Sequence, residues 1–131
     1  IYLNSSGNVS IVTSDIDYGS WDACGIDTMY LDVYEFTCAN LGTNTVILTV
    51  KDTYQNTASA TAVVTVIDRI KPVVKVRDVT VVLDKYSQAS VRVSDIDAGS
   101  WDNCNIVNRW LEGLISYDCG DTGSHLVTLF V

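Results

Sequence analysis

The segment Ser14–Ile26, SDIDYGSWDACGI, returns eighty residues later as Ser94–Ile106, SDIDAGSWDNCNI, with ten of thirteen positions identical. The register extends backwards, matching Tyr2-Leu3 to Val82-Leu83 and Ser10 to Ser90. After one inserted residue it resumes, and Cys38, Gly42, Val46, Leu48 and Val50 match Cys119, Gly123, Val127, Leu129 and Val131. Self-similarity at a fixed period is the signature of a repeat architecture, in which one supersecondary unit is used again. The chain therefore reads as parts of two similar units of about 80 residues. The first repeat, residues 1–68, lacks a counterpart of Pro72–Val81, a candidate first strand. The second, residues 73–131, stops before any counterpart of Lys51–Asp68. Residues 69–72 form a short linker holding the only proline, Pro72, a residue suited to strand starts and edges. Two origins fit the missing pieces: the chain is cut from a longer array, or neighbouring molecules supply the strands.

Valine, isoleucine and threonine outnumber leucine and alanine, and the only glutamates are Glu35 and Glu112. β-Branched side chains fit a pleated, half-buried surface, so the units are expected to be all-β. Alternation and turn signals place strands at Val9–Thr13 and Ala89–Ser94, each leading into an aspartate-rich loop. Longer strands are expected at Thr45–Val50 and Ala58–Ile67, joined by the polar turn Asp52–Thr57. Val73–Leu83 should supply one or two more, and Ile26–Phe36 and Val107–Ile115 read mainly as strand. Seven or so short strands per unit imply an antiparallel, immunoglobulin-like β-sandwich. The Cys…Trp…Cys order of true immunoglobulin domains is absent, since Trp21 and Trp101 precede their cysteines.

Four cysteines occur as two similarly spaced pairs, Cys24 with Cys38 and Cys104 with Cys119. An even count at repeated spacing in a β-rich chain points to disulfides and an oxidising compartment. Three pairings are formally possible; the repeat favours the two within-repeat bridges, one per unit. Zinc is a poor alternative, because no CxxC occurs and the single histidine is His125.

The net charge of -8 repels phosphate backbones and anionic membranes, so nucleic acid is not an expected partner. No stretch approaches the ~20 apolar residues of a spanning helix, and no signal peptide is visible at the start.

The aspartates are the most chemically suggestive residues. Asp15, Asp17 and Asp22 fall within eight residues, as do Asp95, Asp97 and Asp102, and Asp52 and Asp68 sit at expected strand ends. Calcium takes six to eight oxygens, and such loops can supply them, so these eight are candidate calcium ligands. The competing reading is turn chemistry, in which aspartate oxygens bond nearby backbone amides. Trp21 and Trp101 are expected to pack over the neighbouring disulfide or the sandwich end; an exposed aromatic platform for surface glycans is the alternative. Asp27-Thr28-Met29 has the form of a surface O-glycosylation acceptor, and Asn8-Val9-Ser10 that of an N-glycosylation site. No phosphate loop, nucleophile elbow or metal-hydrolase pattern appears, so the chain reads as a non-enzyme.

The run DID-x-GS-x-D-x-C-x-I, then a cysteine, then LGTNTVILTVKD and ASATAVVTVID with a following proline resembles the HYR-like tandem repeats of secreted bacterial surface proteins. It is particularly similar to repeats of cell-surface gliding adhesins of the SprB type. The pattern departs at Gln55, where such repeats place glycine in the turn, and at Asn105, where glycine follows the cysteine. The resemblance implies β-sandwich units in a long extracellular filament at the bacterial cell surface, with attachment or gliding motility as its purpose. Its implied partners are neighbouring repeats of the same protein. Two rival readings remain: a carbohydrate-binding module, and a self-assembling fibre subunit completed by strand exchange.

Overall fold

The computed structural model describes all residues, 1–131. The chain divides into two compact units, Ile1–Ile70 and Lys71–Val131; its regular structure is mostly β, in antiparallel sheets, with shorter strands in the second unit.

In the first unit, β1 (Asn8–Ser10) pairs with β3 (Glu35–Thr37). A three-stranded sheet runs in the order β2 (Ile26–Leu31), β4 (Gly42–Asp52), β5 (Thr57–Val66). The β4–β5 hairpin is in continuous register from Gly42↔Val66 to Lys51↔Thr57. Period-2 alternation sends Val46, Leu48, Val64 and Val66 inwards while Ile47, Val63 and Thr65 face out. These four, with Leu3, Ile11, Leu31 and Phe36, are the buried apolar residues of this unit.

In the second unit, β6 (Ala89–Ser90) pairs with β8 (Ser116–Tyr117), and β7 (Trp110–Gly113) pairs with β9 (Val127–Phe130). Val91, Ile96 and Leu129 form the core, with Val93, Leu111, Tyr117, Val127 and Val131 packed against it. The pairings correspond across the chain. Val9↔Phe36 becomes Ala89↔Tyr117, and Leu31↔Leu48 becomes Leu111↔Leu129. Each shift is 80 before the inserted residue and 81 after it.

Several strands differ from their expected extent. β1 ends at Ser10 and β6 at Ser90, because a single helical turn follows each: α1 (Thr13–Ile16) and α2 (Val93–Ile96). Asp15 Oδ2 accepts from the Val12 amide at 2.8 Å and Asp95 Oδ2 from the Arg92 amide at 2.9 Å, which fixes where each turn begins. Val73–Leu83 forms no continuous strand; it contributes bridges at Val73 and Val76. Ile26–Phe36 is interrupted at residues 32–34, and β2 and β3 enter different sheets.

That interruption bears on the cysteines. Cys24 and Cys119 are free, exposed thiols, while Cys38 and Cys104 are disulfide-bonded. The expected bridges Cys24–Cys38 and Cys104–Cys119 are therefore not formed. Cys24 precedes β2 and Cys38 follows β3, and these strands do not fold back on each other as a hairpin. Cys104 likewise precedes β7 and Cys119 follows β8, and these two strands also enter different sheets.

One turn recurs three times. At Asp52, the Asp52 amide donates to Asn56 O (3.0 Å) and the Gln55 amide to Asp52 O (3.1 Å). Asp52 Oδ1 accepts from the amides of Tyr54 and Asn56, both at 2.8 Å. Asn4–Asn8 and Asp84–Gln88 repeat this pattern. The fourth residue of each turn has positive φ: Gly7 (73°), Gln55 (74°) and Ser87 (61°). Glycine is favoured there, so Gln55 and Ser87 hold this conformation at a cost that Gly7 does not bear.

Candidate functional site

The candidate site is the aspartate–tryptophan loop, present once per unit. Its shape follows from three short-range hydrogen bonds that both copies make. The Asp17 amide donates to Thr13 O and the Asp97 amide to Val93 O, each at 2.8 Å. Asp17 Oδ1 then accepts from the Ser20 amide (2.9 Å), and Asp97 Oδ1 from the Ser100 amide (2.8 Å). Gly19 and Gly99 supply the positive φ, 89° and 93°, that lets the chain double back to its own aspartate. Asp22 Oδ1 and Asp102 Oδ1 accept from the amides of Cys24 (2.8 Å) and Cys104 (3.0 Å).

These contacts set the electrostatics. The hydroxyl of Ser20, with the Ser20 and Gly19 amides, holds the Asp17 carboxyl below the ordinary carboxylate range. Asp97 is lowered by the amide and hydroxyl of Ser100, helped by the Gly99 amide and the charge of Arg109. Arg109 Nε lies 3.1 Å from Asp97 Oδ2, and Arg109 Nη2 donates to Ser100 O at 3.1 Å. Asp52 is lowered chiefly by the side-chain amide of Asn56. Hydrogen bonding to the charged form is the common cause.

Each of the eight candidate calcium ligands thus accepts a hydrogen bond from a nearby backbone amide, Asp68 Oδ1 from the Ile70 amide at 3.0 Å. No three His, Cys, Asp or Glu side chains come together in a group that could hold a metal ion. The turn reading is the one the hydrogen bonds carry. Thr28 is exposed on β2, beside a register shift between Ile26 and Thr28. Asn8 is exposed at the end of the Asn4 turn. No helix is long and apolar enough to cross a membrane.

Comparison with family models, with curated proteins and with solved structures finds no match.

The tryptophans depart from expectation. Trp21 is 83% exposed and Trp101 46%, so neither is sealed beneath a bridge or a sandwich end. The cause of their difference lies in residues whose role was not visible in the sequence. In the second unit, Val73 and Trp101 exchange two backbone hydrogen bonds, Val73 N–H to Trp101 O (2.8 Å) and Trp101 N–H to Val73 O (3.0 Å). Ala98 N–H donates to Lys75 O (2.9 Å), and Arg77 N–H to Ile96 O (3.0 Å). Ser100 Oγ accepts from the Lys75 amide at 3.0 Å and is 3.3 Å from Lys75 O. The Arg77 guanidinium closes the row, donating from Nε to Asp95 O and from Nη2 to Ser94 O, both at 2.8 Å. The one sequence signal for this docking is the apolar–polar alternation of Val74, Lys75, Val76 and Arg77.

Proposed function

We propose that this chain is a structural segment of a repetitive extracellular adhesin, built from immunoglobulin-like β-sandwich repeats of about 80 residues. It acts as stalk in surface attachment or gliding motility. The observation that carries the reading is how the polar side chains of the duplicated loops are used. Both copies direct their aspartates into the same backbone hydrogen bonds, so what the repeat preserves is a loop shape rather than a converging set of reactive groups. In this reading the chain is not an enzyme, and its surroundings are the bacterial cell surface and its neighbouring repeats. The acidic, aspartate-rich surface keeps such a filament soluble and discourages sheet edges from aggregating.

The test is localisation joined to phenotype. Antibodies raised against residues 1–131 should label intact, unpermeabilised cells of the source bacterium. Deleting the encoding region should reduce surface attachment or spreading. Antigen found only after permeabilisation would sink the reading.

A glycan platform is the second reading, favoured by the exposure of Tyr18 and Trp21 in one loop. It predicts saturable quenching of tryptophan fluorescence by a surface glycan, lost in Trp21→Ala.

A further inference from the structure

The four cysteines stand at two repeat positions. Cys24 and Cys104 share the first, Cys38 and Cys119 the second. Cys38 and Cys104 are disulfide-bonded and half-buried, whereas Cys24 and Cys119 are exposed thiols. One cysteine of each position is therefore used, and one of each is left open.

Each open thiol is carried on the same turn as its bonded counterpart. At the first position, Asp22 Oδ1 accepts from the Cys24 amide as Asp102 Oδ1 accepts from that of Cys104, at 2.8 and 3.0 Å. At the second, Cys38 and Cys119 each open a single 3₁₀ turn, Cys38–Asn40 and Cys119–Asp121. Thr37 Oγ1 caps the first of these by accepting from the Ala39 amide (3.3 Å), and Asp118 Oδ1 caps the second by accepting from the Gly120 amide (2.7 Å). Asn40 Oδ1 and Asp121 Oδ2 reach back to the amides of Thr37 and Asp118, both at 2.9 Å. A disulfide forms only where the backbone aims two Cβ atoms at each other within about 4.5 Å. A turn that presents a bonded cysteine in one copy therefore presents its equivalent ready for the same bond in the other.

We infer that Cys24 and Cys119 are disulfide-forming sites, and that each takes a cysteine of the other repeat position carried by a further repeat of this kind. A first-position thiol thus meets a second-position one, the combination that the bonded cysteines represent. The bond forms by exchange with a low-molecular-weight disulfide such as oxidised glutathione. The thiolate of one cysteine attacks it and releases one glutathione, and the thiolate of the other displaces the second. Two protein thiols become one disulfide, and one glutathione disulfide becomes two glutathione thiols that take up the protons. A pull delivered through such bridges enters a repeat at one cysteine and leaves at the other, across residues 24–38, and spares β4 and β5 from extension. The inference rests on the repetitive, extracellular part of the proposed function; cell labelling tests that part, and thiol pairing in purified protein is read independently of it.

The experiment incubates the whole chain in a buffer of oxidised and reduced glutathione, quenches by alkylation, and reads the products by non-reducing electrophoresis and peptide mass mapping. A ladder of multimers is expected, collapsed by dithiothreitol, in which the Cys24 peptide is bonded to the Cys119 peptide. Cys24→Ser and Cys119→Ser should each stop the ladder, and mixing the two variants should give a dimer in at least about tenfold excess over either variant alone. Four results would overturn the inference: no multimers, a Cys24–Cys119 bond closed within one chain, variants that dimerise alone as readily as together, or crosslinked peptides that draw in Cys38 or Cys104. Protein alkylated directly on the source bacterium identifies the carrier of the second cysteine. A mass lowered by reduction places it on another copy, and an unchanged mass with both cysteines bonded places it along one polypeptide. Recovery of Cys24 and Cys119 there as alkylated thiols would also overturn the inference.

Discussion

The two units are complementary in what they leave open. The first has the long β4–β5 hairpin but nothing beside its aspartate loop. The second has a strand beside the loop, but β9 has a single neighbour, β7, where β4 lies between β2 and β5. Burial follows these neighbours rather than residue type. Phe36 is 1% exposed while its counterpart Tyr117 is half-buried, and Val46 is fully buried while Val127 is not. At the loop the order reverses, and it is Ile96 and Ser100 that are covered. Equivalent positions in a repeat therefore carry equal energy only where the same strands flank them.

The comparison can be broken most decisively in the cores. Phe36→Ala removes a side chain with almost no access to water and should cost about 3–5 kcal/mol. Tyr117→Ala, from a site already half open, should cost about 1–2 kcal/mol. Leu48 and Leu129 are buried alike and each faces a leucine of the preceding strand, but only Leu48 also has Ala60 of β5 opposite it; their alanine variants should each cost about 2–4 kcal/mol, with Leu48→Ala the larger. Urea denaturation, with amide exchange to assign each loss to its unit, measures all four. A Tyr117→Ala cost equal to that of Phe36→Ala would mean that the flanking strands do not set the balance.

The thrice-used turn sharpens the comparison on a smaller scale. Gly7, Gln55 and Ser87 share one backbone conformation, yet only Gly7 adopts it freely. Gln55→Gly and Ser87→Gly should each stabilise by roughly 0.5–1 kcal/mol, and Gly7→Ala should destabilise by about 1 kcal/mol. Thermal unfolding of the three variants checks the sign. A destabilising Gln55→Gly would show that side-chain contacts at this turn outweigh its backbone strain.

Much of this architecture is legible in the sequence because repetition states it twice. The mostly β character, the β4–β5 hairpin and the polar turn at Asp52 follow from alternation and turn residues acting over short distances. The helical turns at Thr13 and Val93 are hidden, since β-branched residues there read as strand until the aspartate three residues after Val12 or Arg92 is recognised as a cap. The cysteine pairing is not legible for a different reason. Similar spacing along the chain does not tell whether intervening strands form a hairpin or enter separate sheets, and here they separate. Trp21 and Trp101 illustrate a third limit, because their exposure depends on a partner strand that only one of them has.

The smallest difference lies between Asp17 and Asp97, and it separates two sources of one effect. Both carboxyls sit below their ordinary value of about 3.9. A carboxyl whose pKa is depressed by folding adds stability that is present above that ordinary value and is lost as pH falls through the folded one. Asp17→Asn and Asp97→Asn should therefore each flatten the acid limb of stability below the ordinary carboxylate range. Salt then distinguishes them. Asp97 owes part of its shift to Arg109, and Met29 occupies the position of Arg109 in the first unit. Charge interactions at an accessible site fade when the screening length falls to about 3 Å near 1 M salt, whereas the hydrogen bonds from Ser20 and Ser100 do not. The acid limb due to Asp97 should shrink in 1 M salt, and that due to Asp17 should hold. If both shrink equally, the Asp17 depression arises from distant positive charge rather than from the turn that Ser20 closes.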